Sequence, residues 1–375
     1  MENIIVKEVV SKSDLNKFIS FPDKLYKGNK YRVPPLHSFE KSTLSAKKNP
    51  AFDFCEAKYW LAYIDNVIVG RIAGIINARS NEIWKEQNVR FGWIDFIEDI
   101  DVAAALLKTV ADWAKYKGLT AMHGPLGFCD MDFEGMLVEG FEEVATQAVI
   151  YNYPYYPIYL EKLGYKKDVD WVQLELILPK KNPERVIRIA EIVKRKYGLK
   201  YLKFKKAKDI LPYAASMFKT LNESYKGLYG FVPLTEKQVA YYTDQYFSMI
   251  DPKYVGFVVD KEDEVVAFGV ALLSLSEAFQ KAKGKLFPFG FIPILQAMRK
   301  NDTLDLFLHS VKPEYQNKGV IAIFYAELTQ ACIDNKLKKA VTSHILEENK
   351  GSLQMFKAYD TRQHLRRRAY IKSIV

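Results

Sequence analysis

The residues with the clearest chemical potential lie between Val311 and Ala322, in the run Val-Lys-Pro-Glu-Tyr-Gln-Asn-Lys-Gly-Val-Ile-Ala. A β-rich run ends at Val311, and a helical pattern starts near Gly319. Free backbone N–H groups and the positive end of a helix dipole meet there, an arrangement that suits a phosphate. Gly319 lets the backbone approach closely, and Lys318 adds positive charge. An ordinary strand–helix turn reads the same way. The strand leading into this loop carries two titratable residues. Strict alternation puts Asp305, Phe307, His309 and Val311 on one face and Leu304, Leu306, Leu308 and Ser310 on the other. A central strand is normally apolar on both faces. Asp305 and His309 are therefore catalytic candidates. His309 is the better base, with an unperturbed pKa of about 6.5. Asp305 is a candidate to orient it, although four residues along a strand span about 13 Å. The competing reading is a satisfied core histidine and an edge aspartate. His344 and His123 are weaker candidates, and Cys332, beside Ala331 and Ile333, reads as a buried thiol.

Composition narrows the setting. The chain has 375 residues, 49% hydrophobic and 27% charged, which excludes disordered, collagen-like and disulfide-scaffold classes. No apolar run approaches the ~20 residues that span a bilayer. The start, MENIIVKEVV, lacks the basic and apolar regions of a signal peptide. Three scattered cysteines without metal-ligand spacing point to a reducing cytoplasm and no metal. A formal charge of +10 attracts polyanions, whether nucleic acid, an anionic membrane or a phosphorylated cofactor.

The elements that must position the loop occur twice. Tyr59–Ile64 and Val67–Ile76 flank Asp65-Asn66 as a hairpin. Tyr254–Val259 and Val265–Leu273 flank a longer charged turn. Each hairpin leads to a strand and a helix: Phe91–Ile97 then Val102–Lys117, and Leu304–Val311 then Ile321–Asn335. Asp101 is the expected N-cap of the first helix and Gly118 its stop. Each half also opens with a strand and helices, and the connection lies near Leu178–Pro183. Two α/β units, residues 1–180 and 181–375, account for nearly the whole chain.

The run Val-x-Pro-Glu-Tyr-Gln-x-Lys-Gly-x resembles the acyl-CoA pyrophosphate loop of the GNAT N-acetyltransferase superfamily, whose pattern is Gln/Arg-x-x-Gly-x-Gly/Ala. Gln316 and Gly319 match; Ile321 stands where the last small residue belongs. The resemblance extends over nearly the full length, as in uncharacterised bacterial proteins with tandem GNAT-like halves. It implies two GNAT-like domains, each a mixed, mostly antiparallel sheet flanked by helices. It further implies acetyl-CoA or a longer acyl-CoA as co-substrate and a small-molecule or peptide amine as acceptor. By the same resemblance Val311, Gln316, Asn317, Lys318, Gly319, Val320 and Ile321 cradle the cofactor. Val311 also pairs with the pantetheine arm and polarises the thioester, and Asn349 orients the pantetheine or the sulfur. The family's proton-donating tyrosine maps onto Phe356, which cannot donate; Tyr359, one turn on, is the substitute.

Asn152–Tyr165 is similar to the family's closing Asn…Leu-Tyr-Glu-Lys-Leu-Gly-Phe, so the first half shares the fold. Its strand–helix junction instead reads Glu98-Asp99-Ile100-Asp101. Three carboxylates there repel a pyrophosphate, so this half is expected to lack a cofactor loop. Residues 276–303 combine a basic helix with an apolar Pro/Gly stretch. They could line an acyl tunnel, touch an anionic membrane surface, or simply pack as a loop. The basic run Arg362–Lys372 alternates like a final strand, which makes nucleic-acid binding the lesser reading. The rival to an N-acyltransferase is a module that binds acyl-CoA or lipid without turnover.

Overall fold

The structure, a computed structural model, describes residues 3–375. Its first elements are β1 (Ile5–Glu8), α1 (Lys12–Leu25), α2 (His37–Thr43), β2 (Cys55–Ile64), β3 (Val67–Asn77), α3 (Ala78–Trp84), β4 (Asn88–Phe96), α4 (Ile100–Tyr116), β5 (Ala121–Gly124), β6 (Met136–Glu139), α5 (Tyr155–Lys162) and β7 (Lys166–Ile177). There follow α6 (Glu184–Tyr197), β8 (Lys200–Leu202), α7 (Ala214–Tyr225), α8 (Glu236–Phe247), β9 (Val255–Val259), β10 (Val265–Leu273), α9 (Ser276–Ala282) and α10 (Phe291–Arg299). The last are β11 (Thr303–Val311), α11 (Ile321–Asp334), β12 (Lys339–Thr342), β13 (Ile345–Leu346), α12 (Lys350–Phe356) and β14 (Asp360–Ser373).

Local chemistry explains several boundaries. Asp65 and Asn66 both take positive φ (47° and 65°), the conformation that a two-residue turn between twisted strands demands. The α4 helix starts two residues earlier than the sequence suggests, because the cap is Asp99, whose carboxylate accepts the Asp101 N–H. Gly198, in the left-handed region, ends α6.

Two compact units result: Met1–Trp171 with Ser276–Ile294 and Leu365–Val375, and Val172–Leu275 with Leu295–His364. In the first, strands run β1-β2-β3-β4-β5, with β14 next to β5. All pairs are antiparallel except β4 with β5. The α4 helix covers one face, burying Leu106, Val110 and Trp113 with Trp60, Ile72 and Phe96. The other face buries Phe18, Ile75, Trp93 and Phe128. In the second unit the order is β8-β9-β10-β11-β12, and only β11 with β12 is parallel. Here β7 closes the sheet, pairing Glu175, Leu176 and Ile177 with Val341, Ala340 and Lys339.

The sequence repeat and the compact units therefore do not divide the chain at the same places. Each unit's closing strand comes from the other half of the sequence. The two strand orders match, so the rhyme between the hairpins is a rhyme of topology.

Candidate acyl-transfer site

The central strand of the second unit, β11, is not regular. Leu306 opposes Ala271 and Leu308 opposes Val270, so Phe307 is an extra residue, a β-bulge. The bulge breaks the expected alternation. Asp305 shares a face with Leu308 and Ser310, whereas Leu304, Leu306, His309 and Val311 share the other. Neighbours confirm it. The Ser310 hydroxyl reaches the Thr220 carbonyl of α7, and Phe307 packs on Tyr246 of α8. His309 instead meets Tyr325 of α11. Asp305 thus cannot orient His309, which corrects the pairing expected from strict alternation.

The bulge coincides with an opening. The parallel ladder to β12 ends at Leu306↔Thr342. Beyond it, the Lys312 N–H donates to Val266 of β10. By alternation, Ser310 also bonds toward β10, while His309 and Val311 aim their N–H and C=O groups to the opposite side, where β12 has stopped. Two contacts agree: the Tyr225 hydroxyl donates to the His309 carbonyl (3.1 Å), and the Gln316 amide donates to the Val311 carbonyl (3.2 Å). The N–H groups of His309 and Val311 point the same way as these carbonyls, into the opening.

The loop after β11 is built for close approach. Gln316 is extended (φ −62°, ψ 152°) and Asn317 follows at φ +57°, a turn in which asparagine takes the second central place. Gly319 has φ +76°, and a Cβ there would lie 3.0 Å from Ile189 of α6. The α11 helix begins without any side-chain cap, in contrast to Asp99 at α4. The Ala322 and Ile323 N–H groups turn back to the Gly319 and Val320 carbonyls (3.0 and 3.1 Å), so an anion would meet the N–H groups just ahead of them, at the positive end of the helix dipole. Lys318 lies over the rings of Tyr197 (5.6 Å) and Tyr315 (5.8 Å), which hold its charge beside the loop. Val320 is buried, and Ile321 packs half-buried against the core around Phe324 and Phe356. These residues fit the diphosphate and pantetheine of a coenzyme A thioester.

The remaining candidates divide. Asn349 caps α12, its side chain accepting the Ser352 N–H. It nevertheless stands beside the loop, because a Cβ on Gly351 would be 3.7 Å from its Oδ1 and 4.0 Å from that of Asn317. Tyr359 donates to or accepts from Thr329, 3.0 Å away and two turns into α11. Burial raises its pKa. Tyr325 was missed by sequence reading. Its hydroxyl is 3.5 Å from His309 Nδ1, and its ring meets Phe356 edge-on at 5.6 Å. It thus brings a phenol beside the position where the family pattern expects one. The signal was its helical register, four residues into α11 and so on the face toward β11. Burial pushes the His309 pKa down to about 4 and holds the Tyr325 hydroxyl well above its usual range, so both are neutral near pH 7. Burial also pushes Asp305 up to about 7, opposed by the nearby Ser274 hydroxyl. His344 lies beyond β12, and His123, in the first unit, faces Asp168 at 3.8 Å. Cys332 is buried, its thiol pushed up to about 12, as a structural cysteine should be.

The fold is that of the GNAT N-acetyltransferase superfamily. A tandem GNAT protein from the clavulanic acid biosynthesis pathway superposes with TM-score 0.57 at 9% identity, covering 100% of this chain and 99% of that one. A conserved protein of unknown function from Enterococcus faecalis V583, described as a probable N-acyltransferase, gives TM-score 0.52 at 7% identity, over 99% and 73% of the two chains. By sequence, the chain is 29% identical to Protein YghO of Escherichia coli K12 over 381 residues, 99% of this chain and 95% of that one. It is 26% identical over 303 residues to the Bacterial ceramide synthase of Caulobacter vibrioides, 79% of this chain and 77% of the relative. No family model matches the chain. Among the described residues no helix is long and apolar enough to cross a membrane, and no cluster of three His, Cys, Asp or Glu could hold a metal.

Proposed function

We propose that the protein transfers an acyl group from a coenzyme A thioester to an amine, with the thioester held by the second unit. One observation carries this reading: the bulge at Phe307 opens β11 from β12 beside the uncapped start of α11. Backbone N–H groups from Asn317 to Ile321 would hold the diphosphate, the Gln316 N–H being donated to the Pro313 carbonyl (3.2 Å). The N–H groups of His309 and Val311 would pair with the pantetheine arm and stabilise the oxyanion as the amine attacks the carbonyl. Asn349 would steady the arm beside the loop. The new C–N bond forms as the C–S bond breaks, and the amine proton must leave while the thiolate gains one. His309, neutral at pH 7, is the acceptor within reach, and Tyr325 is the donor to sulfur. Tyr359 is the second-choice donor, and Asp305, on the opposite face of β11, takes no part in these proton transfers. The first unit, where the Asp99 carboxylate fills the equivalent helix start, would not hold a second thioester.

The Bacterial ceramide synthase of Caulobacter vibrioides supports a choice of acceptor. Ceramide is an amide of a long-chain amine, so a long-chain amino alcohol and a fatty acyl-CoA are the first substrates to try. Thioester supply and three buried free thiols suit the cytoplasm. The test is release of free CoA thiol from acetyl-CoA and palmitoyl-CoA, with and without amine. Amine-dependent thiol release supports the transfer. A second reading, an acyl-CoA-binding module without turnover, rests on Phe356 and Ile321 replacing the tyrosine and small residue of the family pattern. Tight acyl-CoA binding, with no CoA thiol released whichever amine is supplied, would favour it.

A further inference from the structure

The sequence 276–300 carries a feature that the acyl-transfer reading does not use. The α9 helix is fixed to the first unit: the Ser276 hydroxyl donates to the Ala145 carbonyl (2.9 Å), and Gln280 donates to the Lys30 and Arg32 carbonyls (2.9 and 3.1 Å). Ala278, Phe279 and Ala282 are buried. The Gly284 carbonyl accepts the His37 N–H (2.8 Å), and a Cβ on Gly284 would lie 3.0 Å from the His37 ring. Past that anchor the chain turns apolar and outward. Phe287 is 78% exposed and Phe289 71%, and Phe291, Ile292 and Leu295 on α10 are exposed too. The Phe287 and Phe291 rings stand 6.0 Å apart, so the tip is one patch. The turn is tied together by the Phe291 N–H to Leu286 and the Ile292 N–H to Phe289.

Exposed phenylalanines cost solubility unless something covers them. The charge around them says what. Between Ala278 and Asn301 the sequence has Lys281, Lys283, Lys285, Arg299 and Lys300 and no acid. Lys283 and Lys285 are exposed at the base of the tip; Glu277, 3.9 Å from Lys281, is the nearest carboxylate on the segment. A rigid base, an aromatic tip and a collar of cations match an anionic lipid surface, with rings in the acyl boundary and ammonium groups at the headgroups.

We propose that this tip docks the protein on anionic membranes. The proposal stands without the acyl-transfer reading, because its test reads binding alone. The full chain is floated with vesicles of phosphatidylcholine alone or mixed with phosphatidylglycerol, at low and high salt. Binding to the mixed vesicles, weakened by salt, is expected. Phe287→Ser with Phe289→Ser should lower it roughly tenfold or more, and Lys283→Glu with Lys285→Glu by a similar factor on anionic vesicles only. Both pairs are exposed, and thermal melts matching wild type would show intact folding. No flotation of the wild type, or equal flotation of the phenylalanine variant, overturns the proposal. So does self-association in light scattering that the phenylalanine variant abolishes without any lipid effect, since the patch would then join two copies.

Discussion

Gly319 offers the sharpest test of the loop. Its φ of +76° costs a residue with a Cβ about 1–2 kcal/mol, less for aspartate. The Cβ itself meets Ile189 at 3.0 Å and Val193 at 3.5 Å, so α6 must give by a few tenths of an ångström. Gly319→Ala therefore probes shape. Gly319→Asp adds a carboxylate beside the start of α11. At about 5 Å from a diphosphate and an effective dielectric of 20, each charge pair costs about 3 kcal/mol, or roughly two decades in affinity. Calorimetry with acetyl-CoA should show a modest loss for Gly319→Ala and a loss of at least about 100-fold for Gly319→Asp. The gap should narrow as salt is raised. Thermal melts would separate these effects from unfolding. An Asp variant that keeps its melting temperature and binds acetyl-CoA as wild type does would remove the loop from the account.

Three further outcomes are expected. Tyr325→Phe should lower kcat about 10²–10⁴-fold in the thiol-release assay, the range for a general acid, and leave acyl-CoA affinity unchanged; an unaltered kcat would return the donor role to Tyr359 or to water. Asp305, raised to about 7, binds its proton more tightly folded than unfolded, so its contribution is full in acid and is lost as pH rises through about 4 to 7. Asp305→Asn should hence raise stability at pH 8 by a few kcal/mol, an upper bound near ~4, and less below pH 5, as read from denaturant melts at both pH values. Asp170, buried in the first unit, accepts from Arg366, Arg368 and Lys167 at 2.8–3.1 Å. Asp170→Ala removes the carboxylate those cations share, but Arg366 keeps Glu139 (3.2 Å) and Arg368 keeps Glu161 (3.5 Å), so the cost should be about 1–3 kcal/mol in urea melts; no measurable loss would mean solvent and the second carboxylates compensate fully.

Much of the fold was legible because its signals are local. The Asp65-Asn66 turn, the alanine-rich α4 and the Gln316–Gly319 loop each declare themselves within a dozen residues. What stayed hidden is non-local. Nothing in the sequence of β11 marks Phe307 as the extra residue, because a bulge is a property of the pair, and β10 supplies the missing half. Without the bulge, Asp305 and His309 seemed to share a face. Tyr325 was hidden for a related reason: its worth lies in standing beside His309 and Phe356, one on β11 and the other on α12. The anchoring of α9 by the Ala145, Lys30 and Arg32 carbonyls is likewise invisible to composition.

The exchanged closing strands have a consequence for how such a chain can be inherited and cut. The last residues of β7 complete the ladder beside β12, and β14 completes the one beside β5. Severed between the repeats, the first fragment would bring a surplus strand and lack its last, and the second would lack its partner for β12. Each fragment would bare an edge ready to recruit the other. The pair should therefore reassemble when coexpressed yet aggregate when made separately. A gene of this design cannot shed or trade one repeat and keep the other whole. That would tie a half expected to hold no cofactor to the survival of the half proposed to hold it.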